Sequence, residues 1–130
     1  MLTLTIRTDK AEAEIGLYDT NDKIDYVKWE AHRELSTTIH HKIEEMLKKH
    51  SRNWPDIQAL VIFKGPGSFT GLRIGLAVAN TLASGLQIPI VSTMGDDWID
   101  GGLTRIQKGE NERVATAEYG ALPNITSPRN

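Results

Sequence analysis

The spacing of apolar residues changes character once along this chain, and that change restricts the fold class more than any other feature. Leu2, Leu4 and Ile6 alternate with Thr3, Thr5 and Arg7, the period of two expected of a strand with one buried face. Glu14 to Asp19 reads as a second strand. Asp19-Thr20-Asn21-Asp22 supplies turn chemistry, and Lys23 to Trp29 alternates again. Beyond Arg33 the period becomes helical: Leu35, Ile39, Ile43, Met46 and Leu47 line one stripe of a helix reaching His50. Ile57 to Phe63 is a compact apolar run, the mark of a strand buried on both faces. A second helix is predicted over Thr70 to Leu86, a last buried strand over Pro89 to Ser92, and a short third helix over Asp96 to Ile106.

The order β-β-β-α-β-α-β-α combines an antiparallel meander with strands joined by helical crossovers. It predicts an α/β mixed five-stranded sheet with flanking helices. The ribonuclease H-like architecture, shared by actin-like ATPases, satisfies that order. Residues 1–106 are expected to form one such domain and residues 107–130 a polar, extended tail containing Pro123 and Pro128. A chain of 130 residues suits a single domain. Cysteine is absent, which removes disulfides, thiolate metal sites and a cysteine nucleophile and fits a reducing cytoplasm. With a net charge of −2, the chain is not basic enough to track a nucleic-acid backbone alone, so any RNA role must lean on a partner. The N-terminus has no signal-peptide pattern, and the apolar stretch from Ile74 to Leu86 is too interrupted to span a membrane.

Two segments carry candidate function. Lys64 to Arg73 (KGPGSFTGLR) joins a buried strand to a helix N-terminus, where free N–H groups hold anions readily. Gly65, Gly67 and Ser68, with Thr8 at the end of the first strand, are the candidate phosphate-binding residues. The segment lacks the Gly-Lys-Ser/Thr ending of a Walker A loop and the spacing of a dinucleotide fingerprint. A tight connection that brings helix and sheet together explains the same glycines. Ser68 is not in a Gly-x-Ser-x-Gly elbow, and no histidine–acid pair accompanies it.

The second segment is the helix that follows. Gly71, Gly75, Ala79 and Ala83 recur every four residues, a stripe along which another backbone can approach closely. Leu72, Leu76, Val78, Leu82 and Leu86 make most of the remaining circumference apolar. Such a helix requires burial on most sides. Packing within the chain satisfies that, and so does a helical interface between subunits. The interface reading assigns Leu72, Arg73, Gly75, Leu76, Ala79 and Ala83 to a dimer face, supported by Leu35 and Ile39 of the first helix.

Gly65 to Ser92 (GPGSFTGLRIGLAVANTLASGLQIPIVS) resembles the signature of the TsaB (YeaZ) family. Leu35-Ser36 opening an amphipathic helix, and the tail residues Glu118-Tyr119-Gly120 and Leu122 to Thr126, are similar to the family as well. The resemblance implies the actin-like fold and no transferase activity. It implies pairing with a TsaD-like catalytic paralogue through the two helices, and a homodimer when the chain is alone. A TsaE-like ATPase would act indirectly, and tRNA would be met only through the complex, which installs N6-threonylcarbamoyladenosine in the cytoplasm. No cofactor or metal is implied for this chain itself beyond ATP or ADP at the partner interface. Two departures stand out. The chain holds the first actin-like half and only a terminal piece of the second. In addition, Arg7-Thr8-Asp9 stands where the family's first strand leads into Asp-Thr-Ser, which argues against the rival reading of a small nucleotide hydrolase. A purely structural homodimer is the third reading.

The remaining polar clusters read as scaffold. His40 and His41 point about 100 degrees apart on a helix and join no carboxylate in a metal spacing. Glu44–Lys48 and Glu45–Lys49 are i,i+4 pairs. Asp96, Asp97 and Asp100 suit a helix start. Trp29, Trp54 and Trp98 are expected as core or rim anchors.

Overall fold

The computed structural model describes residues 1–119. Three antiparallel strands, β1 (Leu2–Arg7), β2 (Glu12–Asp19) and β3 (Asp22–Glu30), open the chain. They are followed by α1 (Leu35–Lys49), β4 (Ala59–Phe63), α2 (Phe69–Leu86), β5 (Ile90–Thr93) and α3 (Trp98–Gln107). The sheet order is β3-β2-β1-β4-β5, with β4 and β5 parallel to β1. This is the ribonuclease H-like arrangement expected from the order of elements.

The period-two pattern of β1 is spent on both faces of the sheet. Leu2, Leu4 and Ile6 join Leu60, Ile62 and Ile90 in a core closed by Ile39, Ile43 and Leu47 of α1 and Leu76, Ala79 and Ala83 of α2. The opposite face of β4 and β5 presents Ala59, Val61, Phe63 and Val91 to Trp98 and Ile106 of α3. Gly102 brings α3 onto Val61 so closely that a Cβ there would collide with the valine side chain. Trp98 is buried and stands edge-on to Phe63 at 5.7 Å. Trp29 is half-buried, and its indole nitrogen donates to the Thr38 hydroxyl at 3.0 Å.

Helix boundaries fall one or two residues from the sequence expectations because local turns intervene. Residues His32–Glu34 form a 3-10 turn entered through a positive φ at His32, so α1 starts at Leu35. Ser68 caps α2 by accepting from the Gly71 amide at 3.3 Å, which starts that helix at Phe69. Asp96 lies in the turn before α3, whose first residue is Trp98.

Residues 110–119 form neither helix nor strand, yet they pack against the domain. The Glu112 amide donates to the Ile90 carbonyl at 2.8 Å, and the Glu118 amide to the Lys64 carbonyl at 2.7 Å. Between them, the Asn80 side chain of α2 grips both backbone groups of Ala115, at 2.8 and 3.0 Å. Tyr119 stacks on Phe69 with centroids 4.8 Å apart. The expected similarity in Leu122 to Thr126 lies outside the described residues.

Candidate functional site

The carboxyl ends of the parallel strands are where an open α/β sheet usually offers a binding crevice. Here that end is occupied by the chain itself. Arg7 forms a two-pronged ion pair with Asp9, Nε to Oδ1 at 2.8 Å and Nη2 to Oδ2 at 3.1 Å. Its guanidinium also lies 3.9 Å from the Phe63 ring centroid. Asp9 is only 7% exposed, and the hydrogen bond to it raises the Arg7 pKa further above its already high ordinary value. A cation fixed in this way has little freedom to reach for a ligand. On the same face, burial raises the Tyr26 phenol, whose hydroxyl donates to Glu14 Oε1 at 2.5 Å.

The glycine-rich connection from β4 to α2 packs onto the two residues after β1. The Thr8 hydroxyl, 1% exposed as a residue, donates to the Gly71 carbonyl at 2.8 Å. The Ser68 amide donates to the Asp9 carbonyl at 2.9 Å. A Cβ on Gly67 would overlap Asp9, one on Gly71 the Thr8 carbonyl, and one on Gly75 the Thr8 hydroxyl. Gly65 has φ +117° and lies against the Glu118 carbonyl. The four candidate phosphate residues therefore have structural tasks: Thr8 and Gly67 at the β1–α2 contact, Ser68 at the helix cap, Gly65 under the C-terminal segment. The glycines grant close approach, and what approaches is the chain's own backbone.

The candidate dimer residues divide in the same manner. Leu72 is 1% exposed, Ala79 0%, and Gly75, Leu76, Ala83, Leu35 and Ile39 are also buried. They belong to the interior facing the chain's own sheet. Arg73 alone of the set is exposed, with its guanidinium 5.2 Å from the Phe69 ring centroid. The surface α2 offers outward is a different row: Thr70, Ile74, Ala77, Thr81 and Ser84, of which Ile74 is half-buried and the rest exposed. Thr70, Arg73, Ile74 and Ala77 line a shallow groove of about 300 Å³. That row recurs at four- and three-residue steps, the spacing of a helix–helix seam, so its signal was present in the sequence. The sequence expectation followed the stripe of Gly71, Gly75, Ala79 and Ala83 instead, which lies against the chain's own sheet and Thr8.

Two of the four histidines lie against carboxylates, and His40 lies near the Trp54 ring. His50 Nε2 lies 2.9 Å from Asp25 Oδ2, and that contact lowers the Asp25 pKa. His32 pairs with Glu30 at 3.1 Å. No helix among the described residues is long and apolar enough to cross a membrane.

Residues 29–93 match the family "TsaD: tRNA N6-adenosine threonylcarbamoyltransferase", a span that contains both α1 and α2. The chain is 34% identical over 96 residues to the tRNA threonylcarbamoyladenosine biosynthesis protein TsaB of Escherichia coli, covering 67% of this chain and 42% of that protein. It is 57% identical over 35 residues to the Bacillus subtilis protein of the same name, covering 27% and 15%. It is 33% identical over 108 residues to a tRNA N6-adenosine threonylcarbamoyltransferase of Ralstonia pickettii, covering 71% and 31%. Among solved structures, YeaZ from Pseudomonas aeruginosa superposes with a TM-score of 0.66 at 22% identity, covering 72% of this chain and 43% of that one. RuvC from Thermus thermophilus superposes with a TM-score of 0.53 at 10% identity, covering 86% and 82%, and so supports the fold alone. The chain thus spans less than half the length of the curated relatives it matches.

Proposed function

The chain belongs to the TsaD-type family, on its TsaB (YeaZ) branch, and on that premise we propose that it is a non-catalytic accessory subunit. It pairs with a TsaD-like catalytic paralogue in the threonylcarbamoyladenosine modification of tRNA. A TsaE-like ATPase joins through the paralogue, and tRNA is met only through the complex.

The observation that carries this reading is the outward row of α2, Thr70, Ile74, Ala77, Thr81 and Ser84, with Arg73 at its side. Small side chains at seam spacing let a second helix lie nearly parallel and close. A paralogue with the same domain brings the same two helices, so the pair closes around a pseudo-twofold axis, and a second copy of this chain closes around a true one. The filled crevice at Arg7, Asp9 and Thr8 supports an accessory rather than a hydrolytic role, because the polar groups that would manage a phosphate are already paired with each other.

The test is co-expression of the full chain with a TsaD-like enzyme, read by size-exclusion chromatography and by modification of tRNA. The parent chain is expected to co-elute, and Ala77→Trp to elute alone while keeping its circular dichroism spectrum. Co-elution that survives Ala77→Trp would refute the assigned face. ATP turnover by the purified chain with magnesium would refute the accessory role.

A further inference from the structure

The two edges of the sheet are protected by different means. The β3 edge carries Asp22, Lys23, Asp25, Lys28 and Glu30 along its nine residues, the charged edge that resists pairing with another sheet. The β5 edge, Ile90–Thr93, has no charge, no proline within it and no bulge. Residues 89, 91 and 93 turn their backbone groups toward β4, as the bonds from the Leu60 amide to the Pro89 carbonyl and from the Lys64 amide to the Thr93 carbonyl show. The amides and carbonyls of Ile90 and Ser92 therefore point away from the sheet.

Each of those four groups is met by something other than a strand. The Ile90 amide donates to Asn111 Oδ1 at 3.1 Å, and the Ile90 carbonyl accepts from the Glu112 amide at 2.8 Å. The Ser92 amide donates to Glu112 Oε2 at 2.7 Å, and the Ser92 carbonyl accepts from Arg105 Nη1 at 2.8 Å. Arg105 in turn holds Glu112 at 2.9 Å and Glu110 at 2.6 Å. Side chains of Arg105, Asn111 and Glu112 thus stand in for most of a sixth strand's ladder. The segment that supplies this clasp is held by hydrogen bonds more than by apolar packing. Ala115 is its one buried residue, Val114 is 65% exposed, and Gly109 at its root has φ +85° with open space where a Cβ would lie. A segment held by partly buried hydrogen bonds with little apolar packing opens below the global unfolding free energy.

We propose that residues 110–119 are a releasable strap over the β5 edge, and that release turns this edge into a docking site for the β5 edge of a second copy. The geometry favours a copy over an unrelated peptide. With a twofold axis through Val91, antiparallel pairing sets Ile90 of one chain opposite Ser92 of the other, and each such pair exchanges two hydrogen bonds. All four outward groups on both chains are then satisfied at once, and the contact closes as a dimer because the β3 edge stays charged.

The test uses the full chain with Ala77→Trp in every sample, so that pairing through the helical face does not contribute. Asn111→Ala with Glu112→Ala removes the clasp. Amide exchange at Ile90 and Ser92, read at a dilution where sedimentation shows only monomer, is expected to quicken about tenfold or more, the effect of losing these hydrogen bonds, while β1 keeps its protection. Sedimentation is expected to show a dimer that Ser92→Pro, whose lost N–H faces away from β4, returns to monomer. Asn80→Ala, which frees the strap at Ala115 without touching β5, is expected to act in the same direction more weakly. Unchanged exchange in both clasp variants would overturn the strap. Quickened exchange with no dimer, or a dimer indifferent to Ser92→Pro, would overturn the docking edge. If the double substitution unfolds the whole chain, Asn80→Ala decides by the same readouts.

Discussion

Helix α2 carries two rows of residues at the same four- and three-residue steps, on opposite sides of its axis. Leu72, Leu76, Ala79, Ala83 and Leu86 face inward; Thr70, Ile74, Ala77, Thr81 and Ser84 face outward. The inner row, half-buried only at Leu86, packs against the chain's own β1, β4 and α1, whereas the outer row is exposed apart from half-buried Ile74, with a shallow groove along its first two turns. The difference teaches that spacing identifies a packing face but not its occupant. Side-chain size separates the two here. The inner row fills volume with leucines, and glycines beside it admit Thr8. The outer row keeps only threonine, serine, alanine and one isoleucine, which leaves room for another backbone.

The comparison breaks most sharply at Gly75. Its missing Cβ lies against the Thr8 hydroxyl, and neither element can withdraw without parting α2 from β1. Gly75→Leu is expected to lower stability by about 3 kcal/mol, at the upper end of overpacking costs. The urea midpoint of the purified variant measures this. A variant as stable as its parent would show that α2 can slide on the sheet. Thr8→Val probes the same contact from the β1 side with little change of volume. It removes the donor to the Gly71 carbonyl and is expected to cost about 1 kcal/mol by the same measurement. Because neither residue reaches the outer row, both variants are expected to pair with a TsaD-like partner wherever they remain folded.

Much of the fold was legible because its determinants are local. The alternation in β1 to β3, the stripe of α1 and the apolar run of β4 each state their own structure within a few residues. The glycines after β4 were legible as a close approach. Their partner was not, since Thr8 and Gly71 are 63 positions apart and meet only through the parallel pairing of β1 with β4. The expected dimer face follows the stripe of glycines and alanines with its flanking leucines, which in α2 is largely the side the chain consumes itself. The strap escaped for another reason. Its contacts run from Asn80, Asn111 and Glu112 side chains to backbone groups, and such bonds leave no hydrophobic period to read.

Arg73 offers the finest test of the boundary between the rows, because it lies beside the outer row and reaches back over Phe69 at the helix start. Both residues are exposed, and Phe69 also carries Tyr119 from the strap. Arg73→Ala is expected to cost about 0.5 kcal/mol of stability, the scale of an exposed cation–π contact. Arg73→Lys keeps the charge but loses the planar stack. If the ring contact is what Arg73 gives the fold, the lysine variant lies between parent and alanine in thermal melts. A double-mutant cycle with Phe69→Ala then returns a coupling of about 0.5 kcal/mol. If Arg73 instead serves the outer face, the cycle returns no coupling and Arg73→Ala weakens pairing with a TsaD-like enzyme at unchanged stability. The two outcomes assign the same side chain to opposite sides of the helix's division of labour, so a measurement smaller than any other here decides where the chain's own packing ends and its partner's surface begins.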